Sequence, residues 1–230
     1  MTAIAMAEQE RRQTVTVLFL DIVGFTALID DLDCGDVRAL QRDYFSVASE
    51  VVRAGGGVVE KYVGDAVMAV FGTGDGGFGP QAAAAAVRVG LKVQAALRGR
   101  LLAGRFAVRT RVGLATGDVI VDEAATRDFG HAMISGSVVS TAARLQAYAP
   151  HDTAVVCAAT QAVTGDLIAY QEMPPVRVPG KPYPLALWRA LEPTGRNFCP
   201  DRRTSSSARR GTDERNCRTM PVFSPRLVTT

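Results

Sequence analysis

The chain has 230 residues, 47% apolar and 21% charged, which fits one good-sized globular domain plus extra segments and not several domains. No apolar run approaches the roughly 18 residues a bilayer span needs. Residues 1–12 end in Glu-Gln-Glu-Arg-Arg rather than an apolar stretch, so a cytoplasmic protein with no membrane partner is expected.

The net charge of +3 hides an asymmetry: residues 193–230 hold eight Arg against three acids, a net of +5, leaving −2 for the rest. The folded part is therefore not expected to bind nucleic acid. Cys34, Cys157, Cys199 and Cys217 form no C-x-x-C, and His131 and His151 are the only histidines. Neither a zinc site nor a disulfide framework follows from that spacing.

Along the chain, the β-branched run Thr14–Leu20 predicts a strand stopped by Asp21, and Gly24 opens a short helical segment. Val37, Leu40, Tyr44, Val47 and Val51 recur at helical spacing between Asp36 and Arg53, with Gly55-Gly56-Gly57 closing the helix. Val58–Val63 and Ala66–Phe71 flank Gly64-Asp65 and predict a tight hairpin. A Gly-rich loop over 72–79 leads to Pro80 and an Ala-rich helix ending near Gly99.

Phe106, Val108, Thr110, Val112 and Leu114 alternate with Arg109 and Arg111 as in a half-exposed strand, and a second strand is predicted over Asp118–Val121. A polar loop covers 122–130. A helix runs from Gly136-Ser137 to about Tyr148, followed by a strand at Thr153–Cys157, a short helix, and strands around Val176 and Leu185–Trp188. This order predicts an α/β sandwich with a mainly antiparallel sheet. The expected organisation is an extension over 1–13, a domain over 14–192, and a disordered Arg/Ser/Pro-rich tail over 193–230.

Asp21 stands where a strand stops and Asp65 at a hairpin tip. If the hairpin pairs beside the first strand, both carboxylates emerge at one sheet end, where a hard divalent cation would relieve their repulsion. Asp is also a common turn residue, so the surrounding strings have to carry the argument.

Those strings are Phe19-Leu20-Asp21-Ile22-Val23-Gly24-Phe25-Thr26 and Gly56-Gly57-Val58-Val59-Glu60-Lys61-Tyr62-Val63-Gly64-Asp65 running on to Phe71, then Val112-Gly113-Leu114-Ala115-Thr116-Gly117, and Gly136-x-x-Val139-x-x-Ala142-Ala143-Arg144-Leu145. Together, in this order, they resemble the class III adenylyl/guanylyl cyclase catalytic domain over roughly residues 14–190. The resemblance implies a ferredoxin-like, palm-like α/β sandwich and conversion of ATP to cyclic AMP and pyrophosphate, with GTP as the alternative substrate. It also implies two Mg²⁺ or Mn²⁺ ions per site and a homodimer with shared active sites.

By the same resemblance Asp21 and Asp65 are the metal-binding aspartates, with the Ile22 carbonyl as a further ligand. Gly24, Phe25 and Thr26 belong to a segment offering backbone N–H groups to the phosphates. Lys61 stands where adenylyl cyclases carry the purine-recognising Lys, and it is one of only three lysines in this Arg-rich chain. Arg144 stands where the family has the arginine that steadies charge in the transition state, a role suited to a fixed, always-charged donor fork.

Two positions depart from the pattern. Met133 occupies the place of the Asp or Thr that accepts from the adenine amino group, and Ser140 that of the Asn that positions the ribose. The alternative expectation is therefore a catalytically silent cyclase-homology module that binds nucleotide or a partner, such as the front part of a transcriptional regulator. No helix-turn-helix pattern is visible in 193–230, and no G-G-[DE]-E-F string of a diguanylate cyclase is present.

Overall fold

The computed structural model describes residues 10–73, 77–122, 133–178 and 183–193. The tail beyond Pro193 and most of the predicted 122–130 loop lie outside the described residues.

Strand β1 (Glu10–Ile22) is the spine of the sheet. It pairs antiparallel with β6 (Thr110–Asp122) without a break, from Glu10↔Asp122 to Ile22↔Thr110. Both strands are longer than their apolar patterns predict. Glu10 to Gln13 are polar yet belong to the ladder, because backbone pairing does not require apolar side chains. Residues 10–13 of the expected 1–13 extension belong to this strand. Gly117 interrupts the apolar pattern but not β6; a Cβ there would sit 3.3 Å from the Val138 side chain, so the missing side chain makes room for a helix.

On its other edge β1 pairs antiparallel with β3 (Ala66–Phe71), which forms the predicted hairpin with β2 (Val58–Val63) around Gly64 at φ +64°. The sheet order is β2-β3-β1-β6-β8-β10-β9, with β8 (Thr153–Cys157), β9 (Ile168–Val176) and β10 (Leu185–Pro193) completing the row. A short β7 (Met133–Ser135) pairs with the far end of β6. Among the described strands only β6 and β8 run parallel, so the sheet is mainly antiparallel as expected. In a separate small hairpin, β4 (Leu101–Leu102) pairs with β5 (Phe106–Ala107); β4 has no counterpart among the predicted elements, and Phe106, expected to share one strand with Leu114, belongs to β5 instead.

Alternation along β1 sends its side chains to two cores. Leu18, Leu20 and Ile22 join the larger core beneath α2 (Cys34–Ala54) and α3 (Pro80–Leu97), contributed by Leu40, Tyr44, Val52, Val87 and Val93. Helix α5 (Ala158–Thr164) lies on the same face, tied to the sheet by the buried hydroxyl chain Thr16, Thr116 and Thr160, each step 2.9 Å. Val15 and Val17 face the second core, where α4 (Ser137–Tyr148) packs Val138, Ala142 and Leu145. Among the described residues no helix is long and apolar enough to cross a membrane.

Helix α4 approaches β6 closely at Gly113, where a Cβ would lie 2.2 Å from the Gln146 backbone nitrogen and 2.4 Å from the Ala142 carbonyl oxygen. These are backbone atoms, so the clash can be relieved only by moving the helix. Gly113→Ala is expected to destabilise the fold by about 1–3 kcal/mol. Urea denaturation measures this, and an unchanged midpoint would show that the helix is not seated as described.

Candidate active site

The hairpin places Asp65 beside the end of β1, where its Oδ2 accepts a hydrogen bond from the Ile22 amide at 3.0 Å. Asp21 lies one residue earlier on β1, and its Oδ2 accepts from Gln146 Nε2 of α4 at 2.8 Å. Arg111, opposite Asp21 on β6, brings Nη2 within 3.7 Å of the same oxygen. The two carboxylates thus converge at one sheet end, as the hairpin pattern predicts.

Their proximity has an electrostatic consequence. The Asp21 carboxyl is pushed up to about 7, first by burial, then by its hydrogen bond with Asp65 and that residue's charge; Arg111 and Gln146 pull the other way. Tyr44, from α2, is fully buried nearby and its hydroxyl has no hydrogen-bond partner among the described residues. Its pKa is raised by burial and then by the charges of Asp21 and Asp65.

Ile22 and Thr110 face each other at the end of the β1–β6 ladder, but the Thr110 amide donates to Asp152 Oδ1 at 3.1 Å and its carbonyl accepts from Asp152 N at 2.7 Å. They do not bond each other, so the Ile22 backbone polar groups turn to the hairpin side, as its amide shows. Among the described residues no cluster of three His, Cys, Asp or Glu forms. The oxygen donors gathered here are the two carboxylates, and carboxylate oxygen is the donor type that hard cations such as Mg²⁺ or Mn²⁺ take.

Gly24 adopts φ +70° and starts α1 (Phe25–Ile29). The Ile22 and Val23 amides are engaged by Asp65 and by the Arg109 carbonyl, which leaves those of Gly24, Phe25 and Thr26 at the turn into the helix.

Among the described residues, neither Lys61 nor Arg144 makes a hydrogen bond or ion pair with Asp21 or Asp65. A bulge between Val59 and Lys61 changes the face of β2: Val59 pairs with Ala69, whereas Lys61 pairs with Met68. Lys61 therefore shares a face with Met68, Phe19 and Asp21 instead of the face of Val59. It is 39% exposed and lies 3.3 Å from the buried Glu60 carboxylate.

On α4 the buried stripe is Val138, Ala142, Leu145 and Gln146. Ser140 and Arg144, four residues apart, lie on the other side. The Ser140 hydroxyl donates to the Ser137 carbonyl at 3.1 Å, and Arg144 has no hydrogen bond or ion pair among the described residues. Met133 pairs through its backbone with Asp122 in β7.

Sequence reasoning does not find Gln146, Arg111 and Tyr44 as site residues. Alternation over 106–114 puts Arg111 on the outward side of a half-exposed strand, but it faces Asp21 and its Nη1 donates to the Ala147 carbonyl at 3.1 Å. Its place beside Val112 and Gly113 gives no signal, because alternation does not say which face a helix covers.

The fold and this carboxylate pair define the class. Solved structures sharing the architecture are nucleotide cyclase domains: the catalytic core of a rhodopsin-guanylyl cyclase with converted specificity, in complex with ATPalphaS, aligns at TM-score 0.72 and 20% identity over 81% of this chain and 99% of that one. The adenylyl cyclase CyaB from P. aeruginosa aligns at TM-score 0.68 and 24% identity over 80% of this chain and 96% of that one. The family described as the adenylate and guanylate cyclase catalytic domain matches residues 7–188, and the chain belongs to it.

Among curated relatives, Adenylate cyclase 1 of Rhizobium meliloti (strain 1021) is 26% identical over 184 residues, 78% of this chain. An uncharacterized protein of Mycobacterium tuberculosis (strain H37Rv) is 30% identical over 167 residues, 70% of this chain. The chain spans 28% of the length of each of these two relatives.

The raised Asp21 carboxyl gives a direct test of the pairing. In metal-free protein its side-chain carboxyl carbon should titrate near pH 7 by NMR, and Asp65→Asn should lower the midpoint by removing a neighbouring negative charge. The folded state holds the extra proton between the ordinary carboxylate range and about 7, so this group's contribution to stability falls as pH rises through that window. An ordinary Asp21 midpoint in wild type would refute the pairing.

Proposed function

We propose that this chain is an adenylyl cyclase-type catalytic module that converts ATP to 3′,5′-cyclic AMP and pyrophosphate in intracellular signalling. The observation that carries the reading is the convergence of Asp21 and Asp65 beside the Ile22 carbonyl, a buried carboxylate pair whose repulsion a divalent cation would relieve. In the reaction the ribose 3′-oxygen attacks the α-phosphate, the bond to the bridging oxygen breaks, and pyrophosphate leaves with that electron pair.

Asp21, Asp65 and the Ile22 carbonyl would hold two Mg²⁺ or Mn²⁺ ions. Metal bound there supplies positive charge that lowers the 3′-hydroxyl pKa and neutralises the departing phosphates. Gln146 and Arg111 orient Asp21 through the contacts described. The amides of Gly24, Phe25 and Thr26 face the phosphate side, Lys61 recognises the purine, and Arg144 steadies charge on the transferring phosphate.

The site is shared between two copies. Among the described residues Lys61 and Arg144 form no hydrogen bond or ion pair with the aspartate pair, yet Lys61 lies on the Asp21 face of the sheet. Beside Lys61 on that face Val58 and Val63 are 45% and 58% exposed, apolar surface that a second copy would cover.

A second reading is a nucleotide-binding module without turnover. It is favoured by the Ser140 hydroxyl, already directed to the Ser137 carbonyl, and by Met133 at the base-reading position. Incubation of purified protein with ATP or GTP and Mn²⁺ or Mg²⁺ separates the readings. Cyclic AMP should form from ATP, vanish with excess chelator, and fall at least about 100-fold in Asp21→Ala and Asp65→Ala. Nucleotide binding without cyclic product would establish the silent module.

The shared site makes a further prediction. Asp65→Ala and Arg144→Ala should each be inactive alone. Free exchange of an equal mixture gives about half mixed dimers, each with one intact site, so activity should return to roughly a quarter of wild type. With subunit exchange verified, a mixture as inactive as its parts rejects the shared site.

A further inference from the structure

On the face of the sheet away from α4, a cavity of about 540 Å³ opens between α3, the start of β8 and the end of β10. That volume is in the range of small-molecule sites. Its apolar wall is formed by Leu91, Ala154, Ala190 and Leu191. None of the residues placed in the cyclase site lines it.

The charge around this cavity is one-sided. The side chains of Arg88, Lys92, Arg98 and Arg189 line it, and none of them makes a hydrogen bond or close ion pair among the described residues; Arg98 feels only the more distant charge of Asp152. Asp152 is the acid in the lining, and it is already engaged: Oδ2 accepts from Arg109 Nε at 2.8 Å and Oδ1 from the Thr110 amide. Arg88 and Lys92 stand four apart on α3, where like charges repel and weaken a helix.

A further observation points inward. Gln94 lines the same cavity, is only 4% exposed, and its buried amide nitrogen has no hydrogen-bond partner among the described residues. A buried donor left without an acceptor is costly unless a bound group supplies one. The missing chemistry is thus an acceptor-rich anion, and the apolar wall asks for a hydrocarbon body attached to it.

We propose that this cavity binds a small amphiphilic anion, a phosphate or carboxylate group carried on an apolar ring or chain, at a site separate from the aspartate pair. The anion lies among Arg88, Lys92, Arg98 and Arg189 and accepts from Gln94, while its apolar body rests on Leu91 and Ala190. The proposal does not depend on cyclase turnover.

Phenyl phosphate titrated into ¹⁵N-labelled full-length protein tests it, read by amide shifts. Saturable shifts at Leu91, Gln94, Thr153 and Ala190 are expected. Inorganic phosphate should bind the same amides at least ten-fold more weakly because it lacks the ring, and phenol should shift none of them.

Arg88→Gln with Lys92→Gln should weaken phenyl phosphate at least ten-fold, and Arg189→Gln, on a different element, should weaken it independently. Shifts confined to Gly24–Thr26, binding equal in the variants, or no saturable binding would each overturn the proposal.

Discussion

The organising constraint of this molecule is the forced proximity of Asp21 and Asp65. Two carboxylates repel at close range, and burial makes the repulsion stronger because water no longer screens it. They are held together because neither can retreat. Asp21 is fixed on a strand paired on both sides, and Asp65 is fixed by a two-residue turn and the Ile22 amide. Gln146 reaches across from α4 to hold the Asp21 oxygen, so the helix that closes the second core also orients the site.

Much of the rest of the fold serves that arrangement. The β1–β6 ladder extends past the apolar segment at both ends, which makes the central pair a rigid support for the residues at its tip. Gly113 lets α4 settle close enough for Gln146 to make its bond, and the hydroxyl chain from Thr16 to Thr160 anchors the opposite face. The sheet therefore has one face closed by α2, α3 and α5 and another that α4 covers only over its central strands. Exposed Val58 and Val63 lie on the uncovered part, beside Lys61.

Family membership and local chemistry bear on different questions. The match over residues 7–188 establishes a cyclase catalytic domain. In the proposed reading the choice of base and the rate fall to Lys61, Met133 and Ser140, with surroundings that include the second copy of the proposed assembly. The chain spans only part of its curated relatives, so the activity of a longer protein carrying this module follows from its other segments as well.

Local signals were enough for several elements. Strong turn chemistry and short apolar runs marked the Val58–Phe71 hairpin and the Thr153–Cys157 strand at the residues where they occur. The placement of Asp21 and Asp65 at one sheet end followed from the same local pattern, and the four strings around them indicated the family. These features were legible because each is set by a few neighbouring residues, through φ preference, side-chain alternation or apolar spacing. Other features depended on contacts distant in sequence. The polar start of β1 forms a strand only because β6 pairs with it, and Gly117 continues β6 because it pairs with Val15 of β1, its missing side chain leaving room for α4. The bulge at Glu60 turns Lys61 to the Asp21 face, a change that alternation alone would assign the other way. Arg111, Gln146 and Tyr44 became part of the site only through packing, since no local pattern says which strand or helix will lie opposite a side chain.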